Sequence, residues 1–290
     1  MIRTKPFVSE KVWGYEKWLL STLSHGMTKI DEKTEFLGGK ALSVLLGENY
    51  PLLIKLIQAN ERLSVQVHPD DRELAGEKIA GKTEAWYVLD ADEDASIICG
   101  LTRELSKEAL SSIFHADFSK PDAKENLESL LRIVPLSKGD FVFIPAGTVH
   151  AIQGGLRLLE VQQASDVTYR LYDWGREREM HIDEGISVFK PIQPKPESPF
   201  SGSFSCPYFK LEKKIISSTS EIKVSYEIDA KTGESFVEEK EFASIFVLEG
   251  EGKLFSNSGE SLDVKKEDFF VFSLNEKIEA TGSLELLIIS

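Results

Sequence analysis

Four side chains with the chemistry of transition-metal ligands recur along this chain: Gln66, His68, Glu84 and His150. Gln66 and His68 belong to Leu63-Ser64-Val65-Gln66-Val67-His68-Pro69, an alternating stretch that reads as a β-strand. Successive side chains of a strand point to opposite faces, so Ser64, Gln66 and His68 are expected on one face and Val65 and Val67 on the other. Glu84 follows in Gly81-Lys82-Thr83-Glu84, and His150 closes Pro145-Ala146-Gly147-Thr148-Val149-His150. Two imidazoles, a carboxylate and an amide oxygen form a nitrogen/oxygen set, not a thiolate one. Such a set suits zinc, with iron or manganese as competitors. Four protein ligands would saturate a tetrahedral ion, so either the coordination expands or Gln66 is a weak ligand.

The elements that must hold these groups are short and β-rich. Strands are predicted at Leu52–Ile57, Ser64–His68, Ala85–Leu89, Ser96–Cys99, Phe141–Ile144, Leu156–Gln162, Ser244–Leu248, Phe269–Phe272 and Leu284–Ile289. With Gly, Pro and Asn between them, they predict a barrel or sandwich. The stretch 102–134 differs: Ser106–Leu110 and Asp122–Leu131 read as helices with Ser106 and Asp122 as N-caps, and Pro135 as the stop. A further short helix is expected around Asp70–Ala80. The Pro-rich stretch 191–200 reads as an extended linker, because proline fixes φ and removes backbone donors.

A faint internal repeat crosses that linker. Ala85-Trp-Tyr-Val-Leu89 resembles Ser244-Ile-Phe-Val-Leu248, and Leu136–Ile144 resembles Val264–Phe272. In this alignment Glu84 falls on Ala243 and His150 on Ile278, so the second copy keeps an apolar skeleton without the ligands.

Composition narrows the classes. The 290 residues carry a formal net charge of −14, which argues against nucleic acid, whose phosphates require a basic face. An anionic small molecule would need local cations, and Lys82 and Arg170 are the candidates. The opening Met1-Ile-Arg-Thr-Lys-Pro-Phe7 lacks the apolar core of a signal peptide, and no run long enough to span a membrane occurs. The two cysteines, Cys99 and Cys206, suggest no disulfide framework. A cytoplasmic protein, monomeric or homodimeric, is expected.

Gly139-Asp-Phe-Val-Phe-Ile-Pro145-Ala-Gly147-Thr-Val-His150 matches the second box of the cupin barrels, in which the glycines and proline shape the bend that aims the histidine inward. Together with Pro51–Ile57, Leu63–Pro69, Gly81–Trp86 and Ser165-Asp-Val-Thr-Tyr-Arg-Leu-Tyr-Asp173, the chain resembles the type I mannose-6-phosphate isomerases (phosphomannose isomerases) in their short prokaryotic form. The resemblance runs in order across most of the first 180 residues and is weak beyond the linker. It implies a mainly β fold: a cupin (jelly-roll) barrel with a small helical insertion and a second, metal-free cupin-like unit. The domains would be a catalytic cupin at 1–190, a linker at 191–200 and a degenerate β domain at 201–290. It also implies one zinc ion held by Gln66, His68, Glu84 and His150, with Arg170 catalytic and Lys82 in the pocket. Longer members carry a histidine where Gly81 stands, so no role of that histidine transfers here.

The implied reaction interconverts mannose 6-phosphate and fructose 6-phosphate by proton transfer through a cis-enediol. It needs a base beside C2 and stabilisation of charge on O1 and O2. Lys82 shares the parity of Glu84 and suits acid/base work. Arg170 offers a planar donor fork for an enediolate or phosphate, or alternatively a structural ion pair with Asp166. On a strand Asp166 and Arg170 would share a face and line the pocket together. Ser64 is a phosphate contact or a barrel filler. Tyr172–Arg176 would close over the pocket, with Arg176 as a reserve phosphate contact. Two rival readings stand beside this one: a cupin metal oxidoreductase of the dioxygenase kind, and a non-catalytic sugar-binding cupin. A cupin fold alone does not choose among them.

Overall fold

A computed structural model of the protein describes residues 1–74, 76–222 and 241–290. The described residues are mainly β, as the spacing predicted. Contacts divide them into two units that interleave along the chain: Val8–Lys17 with Leu53–Phe200, and Met1–Phe7 with Trp18–Leu52 and Ser201–Ser290. The chain thus passes between units several times, whereas the sequence reading drew a single crossing at 191–200 and kept all of 1–190 together. Strand pairing is the reason. Ile2–Lys5 pairs antiparallel with Phe269–Ser273, Ile2 opposite Val271, so the amino terminus extends the sheet of the second unit.

Two antiparallel sheets carry the candidate ligands. One runs Phe141–Ile144, Glu84–Ala91, Leu156–Gln163, Leu52–Ala59, Gly14–Leu20, Phe7–Lys11; the other runs Leu131–Pro135, Ser96–Leu101, His150–Ile152, Val65–Val67, Tyr169–Tyr172. Their inner faces share one core, in which Ile57, Trp86, Val88, Val142 and Leu158 of the first sheet meet Ile97, Cys99 and Ile152 of the second. Val65, Val67, Val149 and Ala151 point the other way and pack with Leu110, Phe114 and Leu127 of the helices. The alternation read from Ser64–His68 therefore holds: the valines cover the helices, and the polar parity turns inward.

The helical insertion consists of Lys107–Phe114 and Pro121–Leu130. Ser106 caps the first, its hydroxyl accepting from Ala109 N at 3.2 Å. Asp122 does not cap the second. Lys120 is the N-cap and Pro121 takes the first helical position, where its missing N–H costs nothing. Pro135 ends a strand, Leu131–Pro135, that follows this helix. The helix expected around Asp70–Ala80 is instead a two-stranded ribbon, Arg72–Leu74 against Glu77–Ile79. Gly76 at φ +84° makes the reversal that a helix cannot.

The internal repeat is visible in strand register. Glu84, Ala85, Trp86 and Tyr87 pair with Ile144, Phe143, Val142 and Phe141; Ala243, Ser244, Ile245 and Phe246 pair with Phe272, Val271, Phe270 and Phe269. These are the partners the alignment assigns. Even the bulge recurs, skipping Leu89 in one copy and Leu248 in the other. Where Glu84 stands among polar groups, the second unit has Ala243, buried in an apolar core with Ile278.

Candidate functional site

Three strands of the second sheet place one file of side chains across its inner face. Gln66 is register partner to His150 on one side and to Arg170 on the other. Glu84 comes from the facing sheet, opposite Ile144 and Gln162. His68, Glu84 and His150 are at most 1 % exposed, and their ligand atoms lie within 4.8 Å of one another. His150 Nε2 stands 3.3 Å from Glu84 Oε1, His68 Nε2 stands 3.7 Å from Glu84 Oε2, and Gln66 Nε2 stands 3.3 Å from His150 Nε2. Ligands at about 2.1 Å around a tetrahedral zinc are about 3.4 Å apart, so these separations suit one ion.

Orientation supports the same conclusion. His68 Nδ1 meets Val167 O at 2.9 Å and His150 Nδ1 meets Thr148 O at 2.9 Å, so each Nδ1–H donates to a backbone carbonyl and each Nε2 lone pair faces the centre. Gln66 donates to His150 Nε2; turning its amide would aim the oxygen at the centre instead. Burial holds the His150 pKa down at about 4, and burial followed by Lys82 holds His68 well below its usual range. Both rings are thus neutral ligands at pH 7. Burial raises the Glu84 carboxyl to about 7 against the pull of Lys82. Glu84 Oε1 is buried with no hydrogen-bond partner, facing the His150 Nε2 lone pair. Two acceptors facing each other is an arrangement that a divalent cation stabilises, and the donor set therefore fits zinc.

Lys82 is 5 % exposed and donates to Glu84 Oε2 at 2.8 Å, with His68 Nε2 at 2.9 Å. Ser64 is buried beside the Val65–Val67 strand. Arg170 donates through Nη1 to Glu179 O at 2.6 Å, while its Nε is buried without a hydrogen-bond partner. Asp166 is exposed and precedes the Tyr169–Tyr172 strand, so the strand face it was expected to share with Arg170 does not form. Arg176 is engaged elsewhere, donating to Arg62 O at 2.8 Å and to Glu61 Oε2 at 3.0 Å.

Sequence reasoning passed over a second buried group of charges. Lys55 Nζ lies 3.1 Å from Glu160 Oε1, and Trp86 Nε1 donates to Glu160 Oε2 at 3.0 Å. The Trp86 ring stacks edge-on to His150, with centroids 5.6 Å apart. Burial alone would raise the Glu160 pKa, but Lys55 and Lys82 outweigh it and hold the carboxyl at about 2. Burial likewise works against the Lys55 ammonium, and Glu160 and Glu16 more than restore it. The available signal was a single charge at an inward position of each apolar strand, Leu52–Ala59 and Leu156–Gln163.

Comparisons with known proteins bear on this geometry. A family model described as the phosphomannose isomerase type I catalytic domain matches residues 20–106, which include Gln66, His68, Lys82 and Glu84. Mannose-6-phosphate isomerase ManA of Bacillus subtilis (strain 168) is 34% identical over 230 residues, 73% of this chain and 66% of that protein. The mannose-6-phosphate isomerase of Streptococcus mutans serotype c is 41% identical over 175 residues, 58% of this chain and 51% of that protein. The matched sequence thus spans between about half and just under two thirds of these relatives. Among solved structures, the mannose 6-phosphate isomerase from Bacillus subtilis superposes with a TM-score of 0.78 at 26% identity, covering 100% of this chain and 99% of that one. A putative mannosephosphate isomerase from Archaeoglobus fulgidus, at 20% identity and a TM-score of 0.70, shares the fold.

Proposed function

From the premise that the chain belongs to the type I phosphomannose isomerase family, we propose that it is an aldose–ketose isomerase interconverting mannose 6-phosphate and fructose 6-phosphate. The observation that carries this reading is the convergence of His68 Nε2, His150 Nε2 and the Glu84 carboxylate around one point, with Lys82 Nζ on its edge. Gln66, His68, Glu84 and His150 would hold a single zinc ion. When bound, zinc would supply Lewis-acid stabilisation of negative charge on the sugar oxygens.

The rest of the chemistry falls to the chain's own groups. In the aldose-to-ketose direction a base takes the proton from C2, the electron pair forms the C1–C2 double bond, and O1 is protonated to give a cis-enediol. A proton then returns to C1 while the O2 proton leaves and the carbonyl reforms at C2. Lys82 is the acid/base group, because its ammonium is buried among the ligands. Arg170, beside Gln66 in register and with an unpartnered buried Nε–H, would serve as the donor to the oxygens on which charge grows, where preorganised donors act strongly. Ser64 on the inner face and Asp166 at the exposed rim are the further substrate contacts. The net charge of −14 supports a small-molecule partner over nucleic acid, and a cytoplasmic setting accords with a sugar phosphate substrate. A buried lysine turned into the ligand set disfavours the silent sugar-binding reading.

The test is a coupled isomerisation assay with mannose 6-phosphate before chelation, after it and after zinc return. Activity should vanish with the metal and come back with zinc. A protein inactive throughout, or one untouched by thorough metal removal, would refute the reading.

A further inference from the structure

We propose that Asp173 is a positioning residue for Arg170: through Arg178 it pins the segment 174–181 against the Tyr169–Tyr172 strand, so that the Glu179 carbonyl orients the Arg170 guanidinium. The inference rests on the isomerase reading of the site and concerns how one of its groups is held.

Asp173 immediately follows the strand and is 2 % exposed. Its carboxylate accepts two parallel hydrogen bonds from Arg178, Nε to Oδ2 at 2.6 Å and Nη2 to Oδ1 at 2.7 Å. Such a fork fixes direction as well as distance. Arg176 Nη1 lies 3.5 Å from the same Oδ1. The residue after Arg178 is Glu179, whose backbone carbonyl accepts from Arg170 Nη1 at 2.6 Å. Two more bonds close the segment onto Arg170 itself. His181 N donates to Arg170 O at 2.8 Å, and Arg170 N donates to His181 Nδ1 at 3.3 Å.

The strap therefore grips Arg170 by its backbone and by Nη1, leaving the buried Nε as an unpartnered donor. Charge supports the same assignment. Burial and the neighbouring Arg178 both disfavour the Arg170 cation, while Asp173 and Glu179 favour it. Three arginines follow one another closely here, and Asp173 is the buried carboxylate among them. An arginine that must meet a transition state needs a fixed rotamer, and its side chain has many. The Asp173–Arg178 fork supplies the fixation from outside the pocket.

The test is a double-mutant cycle on the zinc-loaded enzyme. D173N is expected to lower kcat roughly 10- to 100-fold with KM changed less than about threefold and zinc content unchanged. In an R170K background D173N should lower kcat by less than about twofold more, because the group it positions is already altered. A multiplicative loss in that background, or full kcat in D173N alone, would overturn the proposal. Should D173N fail to fold, R178Q enters the same cycle from the outer end of the fork, where the side chain is 33% exposed. A second readout does not depend on turnover. Amide exchange at His181 should quicken about tenfold or more in D173N or R178Q while the Glu84–Ala91 strand stays protected. Unchanged exchange at His181 would also overturn the proposal. A wild-type protein without isomerase activity would instead refute the functional reading, and the exchange measurement would still decide the strap.

Discussion

Lys82 Nζ lies 2.8 Å from Glu84 Oε2, on the carboxylate that faces both histidines. A lysine ammonium is a strongly hydrated point charge, and burying one is tolerable only beside groups that return what water supplied. Here Glu84 and the His68 lone pair do so. The same two groups are the ones a zinc ion would take. Metal binding and the Lys82 contact therefore compete for one set of lone pairs.

K82M removes the competitor and keeps the stem. Its zinc affinity, measured by competition with a chromophoric chelator, should equal or exceed that of the wild type, while kcat falls by roughly 10²-fold or more as the proposed acid/base group is lost. A variant that loses zinc would mean that Lys82 supports the ligands and does not compete with them.

R170A separates binding of the metal from stabilisation of charge. Arg170 sits next to Gln66 in register but contributes no atom to the cluster of His68, Glu84 and His150. The expected outcome is full zinc content with kcat reduced roughly 10²- to 10³-fold, the usual consequence of removing a preorganised donor. Elemental analysis beside steady-state kinetics decides it. Zinc loss would recast Arg170 as a structural support of the Gln66 strand.

Gly81 is a steric requirement. A Cβ there would come within 2.5 Å of Asp70 C, 2.6 Å of Asp71 N and 2.8 Å of Pro69 O, all backbone atoms that close the Arg72–Ile79 ribbon. The residue also donates its N–H to Asp71 Oδ1 at 2.6 Å. G81A should destabilise the fold by about 1–3 kcal/mol, the scale of overpacking, readable as a lowered urea midpoint. A wild-type midpoint in G81A would show that the ribbon yields freely.

Several features of this site were legible in the chain itself. Alternation through Ser64–His68 foretold which side chains turn inward, because one face of that strand is apolar and must be buried. The repeat of Ala85–Leu89 in Ser244–Leu248 was readable because the same pairing register demands the same apolar skeleton. What escaped reading depends on partners distant in sequence. Lys55 and Glu160 come from different strands, and no local pattern says that they meet. Arg170 is held by a backbone carbonyl, that of Glu179, which side-chain identity does not encode. The Arg72–Ile79 ribbon escaped because its polar residues fit an exposed helix equally well, and only the left-handed Gly76 distinguishes them. Interleaving of the units escaped for a related reason, since the pairing of Ile2–Lys5 with Phe269–Ser273 spans almost the whole chain.

The Lys55–Glu160 pair gives a stability prediction with a built-in control. Both side chains are nearly inaccessible, at 7% and 4% exposure. Breaking a buried pair leaves an uncompensated charge, whereas removing both charges relieves the desolvation of each. E160Q keeps an acceptor for Trp86 Nε1 and strips Lys55 of the carboxylate 3.1 Å away while Glu16 still supports its charge, so it should cost about 3 kcal/mol in urea unfolding, the lower end of the range for a broken buried pair. K55M/E160Q should recover most of that loss. If the double variant is as unstable as E160Q, the damage lies in the Trp86 contact and not in the charge.

Acid sensitivity of the metal-free protein follows from His150. Burial lowers its folded pKa to about 4, against an ordinary imidazole value of 6.5. Between these values the unfolded chain binds a proton that the folded chain refuses, so folding stability falls as pH drops through that window. From pH 7 to pH 5 the loss from this one group is about 2 kcal/mol. Glu84, raised to about 7, runs the other way: its folded form holds a proton that the unfolded chain releases above the ordinary carboxyl value of 4.5, so its contribution improves as pH falls from 7 toward 4.5. His68, also held low by burial, moves in the same direction as His150, so the wild-type slope alone mixes all three groups. H150Q removes only the His150 contribution, and the comparison is the stability change between pH 7 and pH 5 in chelator for both proteins. Wild type should lose about 2 kcal/mol more than H150Q over that interval. Equal changes in the two proteins would show that His150 is protonated as readily in the fold as outside it. In that case the neutral, metal-ready imidazole inferred from its Nδ1–H bond to Thr148 would be wrong.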